Sequence, residues 1–438
     1  MPLHGTKTFV GFGFGPIQAG LFVLEAFRSG NFGRIVIAEV LPELVRSVRE
    51  VGGRFRLNIA QADGIEHQAL GPIEMEDPAV EGDRLRLIEA IAEASEIATA
   101  VPSIRFYKSE GPGSIHRVLA RGLEARAGRP VVIYAAENHN HAAEALEEAV
   151  LEEVSEANRS RVRSGTRFLN TVIGKMSAMI ADPDRVAETG LETITGTDPR
   201  AFLVESFNRI LISAVRFPAG TRFQRGIEVF EEKPDLLPFE EAKLHGHNAA
   251  HALAAYLGAL RGCVRLVDLE RVPGAVPFVR RTFLEEAGEA LCRKRGCIDP
   301  LFTRTGFEAH VDDLMARMMN PHLGDLVERV ARDPARKLAW EDRLVGTMRL
   351  CLSQGIVPRG FALGAAAGLL YHTPALRADR APPEAALDEI WRGSNPSPEE
   401  KRRVVELVAQ GLDRLRGWLG SGISPFEQHG AYTPRSHE

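Results

Sequence analysis

Apolar positions in the first half of the chain gather into short, mostly apolar runs: Thr8–Phe12, Arg34–Glu39, Ile97–Val101, Val131–Ala136 and Phe168–Ile173. Runs of this length, bounded by turn residues, predict strands buried on both faces, as in a parallel sheet. Between them the apolar residues recur at helical spacing, over Leu21–Phe27, Leu85–Ala94, Ile115–Leu123 and Ala142–Val154. Strand and helix in alternation predict βαβ units. The helical period is lost between Val51 and Pro78, where Arg54–Ile59 and Ile65–Glu76 read as an antiparallel excursion off the sheet. Pro199–Gly262 mixes β-like segments with helix. Beyond it the pattern is almost wholly helical: Phe283–Lys294, His310–Arg317, Leu326–Ala331, Asp342–Gln354, Pro358–Tyr371, Ala385–Trp391 and Glu399–Trp418. The expected fold is therefore α/β, with a Rossmann-like N-terminal domain and a mainly α-helical C-terminal domain. Pro, Gly and charged residues cluster over Phe217–Pro238, which places the boundary at 1–225 and 226–438. The tail from about residue 420 is rich in Gly, Ser, Pro and His and is expected to be flexible.

The first strand runs into Gly11-Phe-Gly13-Phe-Gly15-Pro-Ile17-Gln-Ala-Gly20, and a helix follows. The second strand ends in Glu39. Strand, glycine-rich turn, helix, strand and acid is the order of a dinucleotide-binding unit. The glycines let the backbone approach a pyrophosphate, whose charge then meets the helix N-terminus. Glu39 would accept hydrogen bonds from ribose hydroxyls. Val40 and Leu41 follow it rather than an arginine, which favours NAD over NADP. Gly13 and Gly15 match the first two motif glycines, but Gln18 stands third and Gly20 falls just beyond. The cofactor candidates are Gly13, Phe14, Gly15, Ile17, Gly20 and Glu39. Thr99, Ala100, Val101 and Asn138 join them from the tips of later strands, because ligands sit at the carboxyl ends of parallel strands.

Composition narrows the partners. A formal net charge of −5 with no long basic run excludes a nucleic-acid surface, and no apolar run reaches membrane-spanning length. The N-terminus has no signal-peptide pattern. Cys263, Cys292, Cys297 and Cys351 are too scattered for a disulfide framework and read as packing thiols in a reducing cytoplasm. A cytoplasmic protein acting on a small molecule is expected.

The densest chemistry is Lys243-Leu-His-Gly-His-Asn-Ala-Ala-His251. If the apolar run after it is helical, Asn248 and His251 share a face, since residues three apart are neighbours. Lys243 lies on the lead-in, where a less regular backbone can aim it at the same point. Lysine, asparagine and histidine together can take a proton and hold an oxygen. Oxidising a secondary alcohol requires both, and a lysine serves as base near neutral pH only if its pKa is lowered. Two other readings compete. His245, His247 and His251, with His139 and His141 elsewhere, offer imidazoles for a metal-dependent hydrolase or lyase, although no acid is paired with them as hydrolytic zinc motifs require. A non-catalytic NAD-sensing protein is the other. Further on, Arg329, Arg336 and Lys337 offer a clamp for a substrate phosphate, or else a solvated helix face paired to Asp325 and Glu328.

Phe12-Gly-Phe-Gly15-Pro-Ile-Gln-Ala-Gly20-Leu, Thr99-Ala-Val101, Asn170-Thr-Val, and Lys243-Leu with Asn248, His251, Ala255-Tyr256 and Gly258 together resemble the polyol-specific long-chain dehydrogenases. Asn320-Pro-His-Leu-Gly-Asp325, Arg329-Val, Arg332-Asp-Pro334, Arg336-Lys-Leu338 and Asp342-Arg-Leu-Val-Gly346 resemble the mannitol-phosphate branch of that family. The resemblance implies an NAD-dependent oxidoreductase that interconverts a polyol, or its phosphate, and the matching keto-sugar. It needs no metal, and it acts as a monomer or homodimer. It implies Lys243 as general acid/base, Asn248 and Asn170 as amide donors to the developing oxyanion, and His251 as an orienting group. The chain departs from the family pattern at Gly174-Lys175, where Asp-Arg is usual, and near Ile210, where a tryptophan is usual. It carries extra residues around Tyr107–Gly113 and Arg377–Lys401.

Overall fold

The computed structural model of the protein describes residues 5–377 and 382–426. The chain forms two compact units, Met1–Glu240 and Glu241–Glu438.

In the first unit the predicted runs become β1 (Lys7–Phe12), β2 (Phe32–Ala38), β3 (Phe55–Ala60), β4 (Ile65–Leu70), β5 (Glu74–Glu76), β6 (Glu96–Thr99), β7 (Val131–Ala135) and β8 (Thr166–Val172). β9 (Ser177–Ile180), β10 (Ala201–Glu205), β11 (Leu211–Ser213) and β12 (Glu231–Lys233) follow. An eight-stranded sheet has the order β12-β11-β8-β7-β6-β1-β2-β5. From β5 to β8 its strands are all parallel. These six strands have the doubly wound nucleotide-binding order, with β1 and β6 at the point where the winding reverses. Helices Glu81–Glu93, Ile115–Ala125 and Ala142–Glu153 cover one face, burying Leu87, Ile91, Leu119, Leu146 and Val150 against Val10, Ile97 and Ile133.

The antiparallel excursion is a real element. β3 pairs antiparallel with β4 and parallel with β10, building a second sheet of order β4-β3-β10-β9. Phe55, Leu57 and Ile59 from this sheet share a core with Phe14, Phe22 and Ile37. The first helix begins earlier than its apolar spacing predicts, as a π-helical stretch over Gln18–Val23 that continues as an α-helix over Leu24–Ser29.

The boundary differs from the sequence expectation. β12 pairs in parallel with β11, so residues 226 to 240, assigned above to the second domain, pack with the first unit. A Pro- and Gly-rich composition marks a loop, and here the chain after the loop returns to the sheet edge.

The regular elements described in the second unit are helices. Ten of the twelve residues of helix Ala249–Leu260 are buried, as expected for a helix apolar all round. It packs against helix Arg359–His372, where a Cβ on Gly364 would lie 2.8 Å from Leu253 and one on Gly368 would lie 3.0 Å from Tyr256. Helix Pro398–Ser421 packs on the other side of Arg359–His372 in the same way. A Cβ on its Gly411 would stand 2.8 Å from the Ala362 carbonyl oxygen. Glycine at these contacts lets helices approach more closely than larger residues allow.

The expected flexible tail does not start at 420. Phe426 is buried, its ring lies 5.1 Å from Phe278 and 5.2 Å from Trp418, and Arg281 donates to its carbonyl. The remainder of that tail, residues 427–438, lies outside the described residues. Among the described residues no helix is long and apolar enough to cross a membrane.

Candidate active site

The glycine-rich turn is organised by Glu39. Its Oε2 accepts from the Phe14 N–H at 2.6 Å, and its Oε1 accepts from the N–H groups of Val40 at 2.7 Å and Leu41 at 2.9 Å. The carboxylate therefore ties the end of β2 to the turn after β1. Gly13 has φ 82°, and a Cβ there would stand 2.8 Å from the Ala100 carbonyl oxygen. Only glycine combines that φ with that approach. Gly15 has nothing within 4 Å of where a Cβ would project, so the turn presents bare backbone on that side. Phe14 contributes to the core instead: its side chain packs edge-on to Phe55 and Phe202 and its N–H is given to Glu39. Ile17 leads into the π-helical stretch and packs partly against the same core.

The departure at Gln18 has a structural answer. Gln18 is fully buried, and a Cβ on Gly11 would lie 2.1 Å from its Nε2. Gly11, on the strand, thus makes the room that the motif normally obtains from a glycine on the helix. Gly20 has a separate task, since a Cβ on it would lie 2.5 Å from Val204 of β10.

At the tips of β6 and β7 the organiser is Glu137. It is buried and accepts from Thr99 Oγ1 at 2.9 Å, from the Val101 N–H at 3.0 Å and from the Tyr107 hydroxyl. Burial pushes this carboxyl up from its ordinary value, against the lowering effect of those three donors. Thr99 and Val101 thus spend donors on Glu137, Ala100 gives its N–H to Phe12, and Asn138 is exposed beyond the strand end. Asn170 accepts from the Ala143 N–H at 2.9 Å and donates to Glu144 at 2.8 Å, capping helix Ala142–Glu153. Lys175, the other departure, is a buried cation that donates to Asn208 Oδ1 at 2.7 Å and to the carbonyls of Phe207 and Glu205. It fastens the segment after β10.

In the second unit Ala242–Asn248 is a π-helix that runs directly into the α-helix from Ala249. In a π turn the backbone bonds join residues five apart, so Lys243 and Asn248 lie one above the other, with His251 a turn further on. Asn248 stands at the N-cap of the α-helix without making a side-chain capping bond. The irregular lead-in expected for Lys243 takes this form. It is held by close packing, because a Cβ on Gly246 would lie 2.9 Å from the Phe283 ring, itself in a second π stretch over Phe283–Gly288.

The three histidines differ. His245 is driven down to about 4 by burial, and its Nδ1 lies 3.1 Å from Thr347 Oγ1. His247 is held well below its ordinary value, first by burial and then by His251, Arg317, Lys243 and His310. Both are neutral near pH 7. His251 places Nε2 2.9 Å from Asp325 Oδ2. Among the described residues no three His, Cys, Asp or Glu converge to hold a metal ion.

Of the basic candidates, Arg329 directs Nε at 2.9 Å and Nη2 at 2.5 Å to Asp325 Oδ1. Lys337 is buried, donates to the Arg332 carbonyl, and is lowered to about 8 by burial and by Arg343 and Arg336. Arg336 lies in the same turn, Pro334–Lys337. Part of the extra segment supports it: Trp391 donates to the Leu338 carbonyl at 2.8 Å and its ring sits 4.9 Å from Trp340. The sequence pairs Arg329 with Asp325, as found here, whereas the second contact of Asp325, with His251, and the bonds that Glu137 receives from Thr99, Val101 and Tyr107 join parts of the chain that no local pattern signals.

A profile described as the mannitol dehydrogenase C-terminal domain matches residues 235–409. The mannitol-1-phosphate 5-dehydrogenase of Geobacillus thermodenitrificans is 30% identical over 371 residues, covering 79% of this chain and 86% of the relative. The chain belongs to the mannitol dehydrogenase family. The Brevibacillus brevis mannitol-1-phosphate 5-dehydrogenase is 27% identical over 412 residues, covering 90% of this chain and 98% of that one. Two solved structures share the fold of this family member. One is the ternary complex of Pseudomonas fluorescens mannitol 2-dehydrogenase with NAD and D-mannitol, at TM-score 0.67 and 17% identity, covering 94% of this chain and 92% of that one. The other is a substrate-free D-sorbitol dehydrogenase, at TM-score 0.73 and 14% identity, covering 93% and 94%. The protein is thus an oxidoreductase of the polyol dehydrogenase class.

Proposed function

We propose that the protein is an NAD-dependent polyol-phosphate dehydrogenase that interconverts mannitol 1-phosphate and fructose 6-phosphate, with Lys243 as general acid/base. The observation that supports this reading is that Lys243 and Asn248 share one π-helical stretch, which runs directly into the helix that bears His251. The relatives named mannitol-1-phosphate 5-dehydrogenase support the substrate.

The cofactor fits the first unit on its own terms. The bare backbone at Gly15 suits a pyrophosphate, and Glu39 keeps lone-pair capacity on Oε2 for a ribose hydroxyl. Val40 and Leu41 offer no charge to a 2′-phosphate. NAD, when bound, supplies the hydride acceptor.

The chain's own residues do the rest. Lys243 takes the proton of the substrate hydroxyl, and in the reductive direction returns it. The Asn248 amide donates to the oxygen as negative charge builds there, and an amide cannot titrate, so this donor stays constant while Lys243 cycles. Asn170 retains one amide N–H beyond its bond to Glu144. Lys337, Arg336 and Arg329 hold the phosphate. A buried lysine beside two arginines is a site short of negative charge, and an anion there relieves the repulsion.

The deciding experiment follows NADH absorbance with the purified protein over a panel of sugar phosphates, free sugars and sugar acids. Fructose 6-phosphate is expected to be reduced with NADH in preference to NADPH. Lys243→Ala is expected to lower kcat by roughly 10²–10⁴-fold, the usual contribution of a general acid/base. Turnover of neutral sugars alone would remove the phosphate clamp. NAD binding without turnover of any polyol would favour the sensing protein instead.

A further inference from the structure

His251 and Arg329 come from different helices, 78 residues apart in the sequence, yet one carboxylate touches both. Asp325 Oδ2 lies 2.9 Å from His251 Nε2, while Oδ1 receives Nε and Nη2 of Arg329 at 2.9 and 2.5 Å. The Asp325 side chain is 2% exposed, that of His251 12% and that of Arg329 38%. Burial would push the Asp325 carboxyl up. The hydrogen bond and charge of His251, with those of Arg329, outweigh it and hold the group below its ordinary value.

The backbone on either side of Asp325 is fixed. Its carbonyl accepts from the Leu266 N–H and the Val327 N–H donates to Val264, both at 2.9 Å, closing a β-bridge between Arg265 and Leu326. The helix Val327–Ala331 that follows packs on Ala249–Leu260, where a Cβ on Gly258 would meet Val327 at 3.3 Å and Tyr256 donates to the Ala331 carbonyl at 3.2 Å. An ionised carboxylate only accepts hydrogen bonds. The Nε2 of His251 that faces Asp325 therefore carries a proton, which leaves Nδ1 on the other side of the ring turned away from the carboxylate. Arg329, with its Nε–Nη2 edge turned to Asp325, keeps its Nη1 edge for another anion.

We infer that Asp325 is a positioning residue: its two oxygens hold His251, as an acceptor for a substrate hydroxyl, in fixed register with Arg329, as a donor to the same substrate's phosphate. This rests on the polyol-phosphate reading above and deepens it, because it makes one buried carboxylate the ruler that matches hydroxyl and phosphate in a single molecule.

The test combines ¹⁵N-histidine NMR of the whole protein with kinetics on fructose 6-phosphate. In the unmodified protein, neutral His251 is expected as the Nε2–H tautomer, and Asp325→Asn is expected to shift that resonance. The same variant is expected to lower kcat/KM by about 10²-fold, the order of loss from a misplaced contact group. His251→Gln added to Asp325→Asn is expected to cause little further loss, and Arg329→Met to raise KM by a larger factor than it lowers kcat. Additive losses in the double variant, or an Nδ1–H tautomer in the unmodified protein, would overturn the proposal. The tautomer is read without turnover. A protein that reduces no sugar phosphate yet holds His251 as Nε2–H would therefore refute the substrate and retain the Asp325 contact. Should Asp325→Asn not fold, the unmodified spectrum still decides.

Discussion

At Gln18, a polar side chain with 0% exposure has neither Nε2 nor Oε1 hydrogen-bonded to any described residue. A buried amide left unpaired is destabilising by roughly 1–3 kcal/mol. Methionine has a similar length and no polar hydrogen to satisfy, so Gln18→Met is expected to raise stability by about 1–2 kcal/mol, read as a higher urea midpoint at unchanged m-value. A lower midpoint would mean that Gln18 has a partner in solution. The residue also shows how far a motif can be read. The sequence marks Gln18 as a defect in a glycine pattern, but only the fold reveals Gly11 as its compensation. Asn170 is similar: its position at a strand tip is legible, whereas its service as the cap of the next helix depends on where Ala143 and Glu144 arrive.

Among the elements, helix Arg359–His372 shows how a buried acid is tied to a helix end. Glu286 accepts from the N–H groups of Gly360 at 2.6 Å and Phe361 at 3.0 Å, two orphan donors of that first turn. Burial pushes its carboxyl up to about 7. The folded value lies above the unfolded one, so the stability from the neutral form is complete below about pH 4.5 and is lost as pH rises through about 7. The stability of the native protein relative to Glu286→Gln is expected to fall by roughly 2–3 kcal/mol between about pH 5 and pH 8, measured by denaturant titration at each pH. A flat difference would show that Glu286 stays ionised. The helix itself was legible from its apolar pattern, as were most others. The π stretches at Gln18–Val23, Ala242–Asn248 and Phe283–Gly288 were not, because one extra residue in a turn leaves the apolar spacing nearly unchanged. What selects them is packing, as at Gly246 against Phe283.

For the whole molecule, a ligand that binds only the folded state stabilises it in proportion to the logarithm of its excess. NAD at about a hundred times its dissociation constant should add roughly 2.7 kcal/mol, seen as a rise in Tm that NADP does not match. No rise with either nucleotide would contradict the cofactor assignment. By itself, the sequence determined the α/β class, the strand–glycine turn–helix unit ending in Glu39, the helical second half and the helical stretch along which Lys243, Asn248 and His251 lie. These are local: apolar period, turn chemistry and short spacing write them directly into neighbouring residues. It did not determine the pairing of β12 with β11, the second sheet joining β3 to β10, the burial of Phe426, or the meeting of His251 and Arg329 on Asp325. Each joins parts of the chain whose separation carries no periodic signal, so only the closing of a packed core decides them.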